Sequence, residues 1–303
     1  MALALVRGMS SNDLKFSALV EEWKVHCRLK ISDGWKLCQD QILRDHILPY
    51  LANRGVKEIT PAHISIVMEQ SKLRGHSPNT QKKIYMTMSK IFNDAVHFFE
   101  ILQRSPVKKH FHRPHIPPME RPSLSPEQSK EFLKEVLKHD LYSSAVYLQL
   151  LAGLRVSEVQ GLRWTDIDFK TETMTIARCY NKLTTTMQEY TKNKSHFVLP
   201  IAPLLLRYLR LKRRDIGFVC ASSSGGMMSE NGYRTFLGRI AARSGLPIKS
   251  SHGLRHSFAR MLTELGASDE VLMQALNHKS IISTKSYIHR SDIGLKKFIK
   301  KIS

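Results

Sequence analysis

The chain has 303 residues, 42% of them hydrophobic, and 47 lysines and arginines against 26 acidic residues leave a formal charge of +21. That length has room for two domains with ordinary cores. No run approaches the ~20 apolar residues of a membrane span, and the start, apolar before its first charge, is the reverse of a signal peptide. Self-repulsion of this size is tolerable beside a polyanion, and nucleic acid is the obvious one, although charge alone does not separate DNA from RNA or an anionic membrane.

The first hundred residues read as helical. Phe16, Leu19, Val20, Trp23 and Cys27 recur at helical spacing, as do Cys38, Ile42 and Leu43 before Pro49, which is expected to stop that segment. Thr60-Pro61 supplies a cap and a first-turn proline for a helix through Ile64, Val67 and Met68. Ser77-Pro78 starts another, with Ile84, Met88, Ile91, Phe92, Ala95, Val96 and Phe99 on one stripe. The opposite face carries Lys82, Lys83 and Lys90. Such a face is either solvated or a contact for DNA phosphates, and the overall charge makes these lysines candidate contacts.

Between 104 and 121, Arg104, Lys108, Lys109, Arg113 and Arg121 stand against the single acid Glu120, among prolines expected to forbid a helix. An extended basic linker is expected here, lying along a phosphate backbone through Lys108, Lys109 and Arg113. His110, His112 and His115 have no cysteine or acidic cluster beside them, so no metal site is expected. The four cysteines, Cys27, Cys38, Cys179 and Cys220, are scattered, as suits reduced thiols in a cytoplasm.

Ser125-Pro126-Glu127-Gln128 is a capping box with proline at the first helical position. Phe132, Leu133, Val136 and Leu137 form the stripe of the helix it opens, and a second apolar helix runs to Leu151 before Gly153 breaks it. From Ile167 to Ile201 the texture turns to Thr, Val, Ile and aromatic residues, which predicts a small antiparallel sheet with Lys192 to Ser195 at its last hairpin. Helices are expected again after Ala202.

Chemistry-bearing residues then come in a fixed order. Arg155 and Glu158 follow the Gly153 break; Lys192 and Lys194 sit in the hairpin; His252 and Arg255, three apart, are expected to share a helix face, with His256 one turn from His252; His278 precedes Tyr287 by nine residues. A phenol with pKa near ~10 attacks poorly at neutral pH. It becomes a useful nucleophile when cations hold an anionic phosphate before it and another group supplies acid for the leaving oxygen. Arg155 taken alone reads as a local partner of Glu158, and His256 as a structural histidine of its helix.

Together the blocks resemble the tyrosine recombinase family, also called phage integrases. The resemblance is carried by Gly153-Leu-Arg155-Val-Ser-Glu158 on to Trp164, Asp166 and Asp168, by Thr191-Lys192 with Pro200 eight residues on, by His252-Gly-Leu-Arg255-His256-Ser-Phe258, and by His278 to Tyr287. It covers about 124–290 firmly and 12–105 more loosely. Where the family usually has Gly before the histidine at 278, this chain has Asn277, which tolerates left-handed backbone better than most residues.

The resemblance implies a mainly α fold with a small antiparallel sheet. A helical, SAM-like core-binding domain would occupy 12–105, a basic proline-rich linker 106–123 and an α+β catalytic domain 124–303. It implies that Tyr287 attacks a scissile phosphodiester, leaving a 3′-phosphotyrosine. Arg155 and Arg255 would clamp the non-bridging oxygens with help from His278. Lys192 would protonate the leaving 5′-oxygen, His252 would assist proton transfer at the tyrosine, and Glu158 would hold its neighbours in place. No cofactor is expected, because arginines and lysine would stabilise the charge and the covalent link conserves the bond energy. The expected partner is double-stranded DNA with specific sites, met as a tetramer on synapsed DNA, for a cytoplasmic, nucleoid-associated protein. No arm-binding domain is expected before residue 12. Integration or excision of a mobile element is the favoured role, and the alternatives are Xer-type resolution of chromosome or plasmid dimers, or a catalytically silent DNA-binding relative. The sequence assigns neither the target site nor any accessory protein or second recombinase.

Overall fold

Two units, residues 1–119 and 120–303, divide the chain; the computed structural model describes residues 14–116, 122–189, 196–248 and 250–278. The first unit is helical: α1 (Phe16–His26), α2 (Asp33–Ile42), α3 (Leu48–Leu51), α4 (Pro61–Leu73), α5 (Pro78–His97) and a short α6 (Lys109–His112). Its core joins Phe16, Leu19, Val20 and Trp23 of α1 to Ile84, Met88, Ile91 and Phe92 of α5. The Phe16 and Phe92 rings stack at 5.2 Å. Each such buried side chain stabilises the fold by about 1.5–3 kcal/mol. Trp23 Nε1 donates to Asp94 at 2.7 Å, and Lys90 Nζ lies 2.6 Å from the other oxygen of that carboxylate. Ser77 caps α5 by accepting from the Thr80 N–H.

Two expectations are corrected here. Pro49 does not end its segment: Leu43–Ile47 widen into a π turn, and α3 carries the helical path past the proline. Proline lacks an N–H and crowds the carbonyl four residues back, and a wider turn accommodates both defects. The stretch expected to be an extended linker is also tied down. Pro106 and Pro114 bracket a helical turn, α6, in place of forbidding one. Buried His112 anchors that turn, its Nδ1 accepting from the Lys108 N–H at 2.9 Å and its Nε2 lying 3.1 Å from Ser65 Oγ of α4. Burial holds this imidazole below the usual histidine range, so the ring stays neutral with its proton on Nε2.

The second unit opens with α7 (Pro126–Val136), α8 (Ser143–Ala152) and α9 (Val156–Gly161). The predicted capping box forms: Ser125 Oγ accepts from the Gln128 N–H, and Gln128 Oε1 accepts from the Ser125 N–H. Strands follow at β1 (Ile167–Asp168), β2 (Thr173–Ile176), β3 (Cys179–Asn181), β4 (Thr186–Gln188) and β5 (Phe197–Pro200). They make two antiparallel sheets where one was expected, β1-β2-β5 and the hairpin β3-β4. The hairpin leaves the larger sheet to lie on α9. A Cβ on Gly161 would come within 2.9 Å of the Arg178 carbonyl, so only glycine permits that approach.

Helices α10 (Pro203–Lys212), α11 (Glu230–Arg243), α12 (Ser251–Glu264) and α13 (Asp269–Ala275) complete the described part. The core gathers on α8, where Ala145, Val146, Leu148 and Leu150 are buried among Phe132, Leu205, Phe236 and Leu254 of the surrounding helices. Among the described residues no helix is long and apolar enough to cross a membrane.

Candidate active site

The centre of the site is the turn between α8 and α9. Gly153 ends α8 with φ +65°, a left-handed conformation that L side chains resist, and a Cβ there would collide with the Phe258 ring of α12. Arg155, in extended conformation, then caps α9. Glu158 closes the turn: its Oε2 accepts from the Arg155 backbone N–H at 2.8 Å and its Oε1 from Arg155 Nη1 at 2.7 Å. The carboxylate is 1% exposed while the arginine side chain is 19% exposed.

Arg255, 3% exposed, reaches this turn from the second turn of α12. Its Nη1 donates to the Gly153 carbonyl at 2.5 Å and its Nη2 to the Leu276 carbonyl, so backbone holds the guanidinium plane. Glu158 Oε2 lies 3.9 Å from the same Nη1, and one carboxylate therefore faces both arginines. His278 Nε2 is 3.2 Å from Arg255 Nη2. A guanidinium only donates, so Nε2 accepts and the imidazole proton rests on Nδ1. Burial, then Arg255, then Arg155, push the His278 pKa down to about 4, which leaves it neutral at pH 7.

Asn277 makes this placement possible. It adopts φ +45° after α13, and the chain folds back so that the His278 N–H bonds the Met273 carbonyl at 2.9 Å. Asparagine thus fills the left-handed position where the family usually carries glycine.

Arg155, Arg255, His278 and Glu158 therefore converge. His252 is exposed near the start of α12, three residues before buried Arg255, and His256 is half-buried on the same helix. Lys192, its neighbour Lys194 and Tyr287 lie outside the described residues. Of the expected DNA contacts, Lys82, Lys109 and Arg113 line one open cleft of about 670 Å³ with His110 and His115. Lys108 lines a second cleft with Lys57 and Arg104, and Lys83 is exposed on α5. Lys90 differs, because its ammonium is engaged by Asp94.

Sequence reasoning passed over the support behind the turn. Tyr233 Oη of α11 donates to Gln149 Oε1 at 2.7 Å, and Gln149 Nε2 donates to the Leu154 carbonyl at 3.2 Å. A signal existed: Gln149 is the lone amide in the apolar run Val146–Leu151, and a polar group buried in such a run requires partners. Cys179 of β3 also sits near the Arg155–Glu158 pair, its thiol kept protonated by burial and by the Glu158 charge.

Among the described residues, two guanidiniums against one buried carboxylate leave this cluster with net positive charge, and a neutral imidazole stands beside it. Such a set suits an anion whose charge is spread over several oxygens, with planar donor forks fixed in advance.

Known proteins match both units. The Phage integrase family profile matches residues 122–293, more than half of the chain, and the Phage integrase, N-terminal SAM-like domain profile matches residues 15–67. Tyrosine recombinase XerC of Oceanobacillus iheyensis is 32% identical over 142 residues, 45% of this chain and 45% of that protein. The ICEBs1 integrase of Bacillus subtilis is 28% identical over 169 residues, 54% of this chain and 44% of that protein. Each match thus spans less than half of the relative. Among solved structures, the Tn1549 transposon integrase in complex with a circular intermediate DNA gives a TM-score of 0.79 at 17% identity, covering 93% of this chain and 98% of that one. A lambda integrase tetramer bound to a Holliday junction gives 0.71 at 17% identity, covering 96% and 81%. The two structures share the fold, and the profile that spans the converging arginines assigns the family: this chain belongs to the phage integrase family of tyrosine recombinases.

Proposed function

We propose that this protein is a site-specific DNA recombinase that integrates and excises a mobile element, cutting and rejoining strands through a 3′-phosphotyrosine. One observation carries the reading: Arg155 and Arg255 meet about Glu158 with His278 in hydrogen-bond contact. In this reading the two guanidiniums grip the non-bridging oxygens of the scissile phosphate, and His278 adds a hydrogen bond to them. The Tyr287 oxygen bonds to phosphorus as the bond to the 5′-oxygen breaks. His252 assists removal of the phenolic proton, and Lys192 delivers a proton to the departing 5′-oxygen. A second 5′-hydroxyl reverses the step, so the phosphoryl linkage is conserved throughout.

The helical unit, about 12–105, is the core-binding domain in this proposal, and 124–303 the catalytic one. Lys82, Lys109 and Arg113 lie along phosphates through their shared cleft, and Lys83, exposed on α5, and Lys108, in the second cleft, add further contacts. Assembly is as a tetramer on synapsed DNA, the state in which lambda integrase is seen on a Holliday junction.

A nicked suicide duplex built from the element's own junction tests the chemistry. Wild type is expected to accumulate covalent protein–DNA and Tyr287→Phe none; equal trapping by the two overturns the reading. The ICEBs1 match supports the mobile-element role. The XerC match supports a second reading, resolution of chromosome or plasmid dimers, and capture on a replicon's dimer site in place of element ends would select it.

A further inference from the structure

The turn Gly153–Arg155 carries both arginines, one by sequence and one by contact, and three of its backbone groups take side-chain partners. The Gly153 carbonyl accepts from Arg255, the Arg155 N–H is taken by Glu158, and the Leu154 carbonyl is taken by Gln149. Gln149 and Tyr233 are each 1% exposed, one on α8 and the other on α11. The direction of this relay is fixed. The Leu154 carbonyl can only accept, so the amide must turn Nε2 to it and offer Oε1 to the Tyr233 hydroxyl, whose proton burial retains. A fully satisfied buried chain of this kind rigidifies what it touches, whereas a severed one leaves polar atoms without partners.

We propose that Gln149, backed by Tyr233, is a positioning residue for strand cleavage: it locks the Leu154 carbonyl so that Arg155 and Arg255 present their guanidiniums to the same phosphate. Neither side chain is placed against DNA in this proposal. It rests on the recombinase reading for its effect on rate, and on the described geometry alone for its effect on the arginines.

The test compares wild type, Gln149→Met, Gln149→Glu and Tyr233→Phe as full-length proteins with two readouts. The first is the single-turnover rate of covalent capture on the nicked duplex at saturating protein, with DNA affinity measured separately by anisotropy. Gln149→Met is expected to lose about 10- to 100-fold in rate, as misplaced catalytic groups do, with affinity nearly unchanged. Tyr233→Phe is expected to lose about two- to tenfold, in line with one neutral hydrogen bond. A glutamate at 149 donates to the Leu154 carbonyl only when protonated, so the rate of Gln149→Glu relative to wild type should recover as pH falls, and that of Gln149→Met should not. The second readout is the NMR titration of His278, which reports the nearness of both guanidiniums without any turnover. Its pKa should rise in Gln149→Met and Tyr233→Phe. Wild-type rates and an unmoved His278 titration in a folded variant overturn the proposal, and Tyr233→Phe decides it should Gln149→Met fail to fold. If wild type captures no DNA, the recombinase reading falls, while the His278 titration still accepts or rejects the relay.

Discussion

Glu158 holds Arg155 at two points, its backbone N–H and its Nη1, and does so from a fully buried carboxylate that also faces Arg255. One acid therefore sets both the start of α9 and the posture of the Arg155 guanidinium. Glutamine at 158 keeps the shape but loses the charge and turns an amide N–H₂ toward donors. Removing one partner of a buried pair typically costs about 3–5 kcal/mol, and the partial exposure of Arg155 lowers that to about 2–4 kcal/mol. Glu158→Gln should lower the urea midpoint accordingly and slow covalent capture, with DNA affinity little changed. A variant as stable as wild type would show that the pair contributes nothing.

His278 gives the site an acid-side signature. Its pKa is about 4 in the folded chain against ~6.5 for an unperturbed histidine. Between those values the unfolded chain binds a proton that the folded one refuses. Stability from this group is thus complete above about pH 6.5 and is lost as pH falls toward 4. The whole effect is at most about 3 kcal/mol, less for a ring that keeps some solvent contact. His46 and His112 are also lowered by burial and add slope in the same direction, so the comparison must be with His278→Gln. Urea unfolding at pH 4.5 to 7.5 should give a flatter profile for the variant. Parallel profiles would place the His278 pKa near its ordinary value.

What could be read from the sequence was local. Helical stripes such as Phe16, Leu19, Val20 and Trp23, the Ser125 capping box and the Gly153 break each act within a turn or two of chain, and all three are in the structure. The converging arginines were legible only as a family resemblance, because 100 positions separate Arg155 from Arg255 and no spacing rule links them. Long-range partnerships stayed invisible for the same reason. Tyr233 meets Gln149 across 84 positions, and His112 finds Ser65 across 47. Pro49 misled because a π turn, which pattern rules do not anticipate, absorbed the missing N–H. Lys90 looked like its neighbours Lys82 and Lys83 until Asp94, one turn away, supplied its counter-charge.

That last contrast makes the lysines separable in solution. Each phosphate contact contributes about −0.9 to the slope of log affinity against log salt on duplex DNA. Lys82→Ala, Lys109→Ala and Arg113→Ala, which open the shared cleft, should each reduce the slope by about 1 and weaken binding across unrelated sequences alike. Lys90→Ala should leave the slope in place and cost about 0.5 kcal/mol of stability, since its half-exposed ion pair is screened by water. Anisotropy titrations at several salt concentrations check both halves. A Lys90→Ala slope change equal to that of Lys82→Ala would return Lys90 to the DNA-facing set.

Gly153→Ala should strongly destabilise the second unit, for two reasons of different origin. Left-handed backbone costs an L residue about 1–2 kcal/mol, and the new methyl would collide with the Phe258 ring, where overpacking adds about 1–3 kcal/mol. The double variant Gly153→Ala/Phe258→Leu separates the two. Leucine removes the ring but not the φ requirement, so the pair should be more stable than the sum of the single losses implies, though still below Phe258→Leu alone. Covalent capture should not recover with stability, because a displaced Gly153 carbonyl no longer holds the Arg255 guanidinium. Full additivity of the two single losses would show that the Phe258 ring moves aside at no cost, leaving backbone conformation as the reason for glycine at 153.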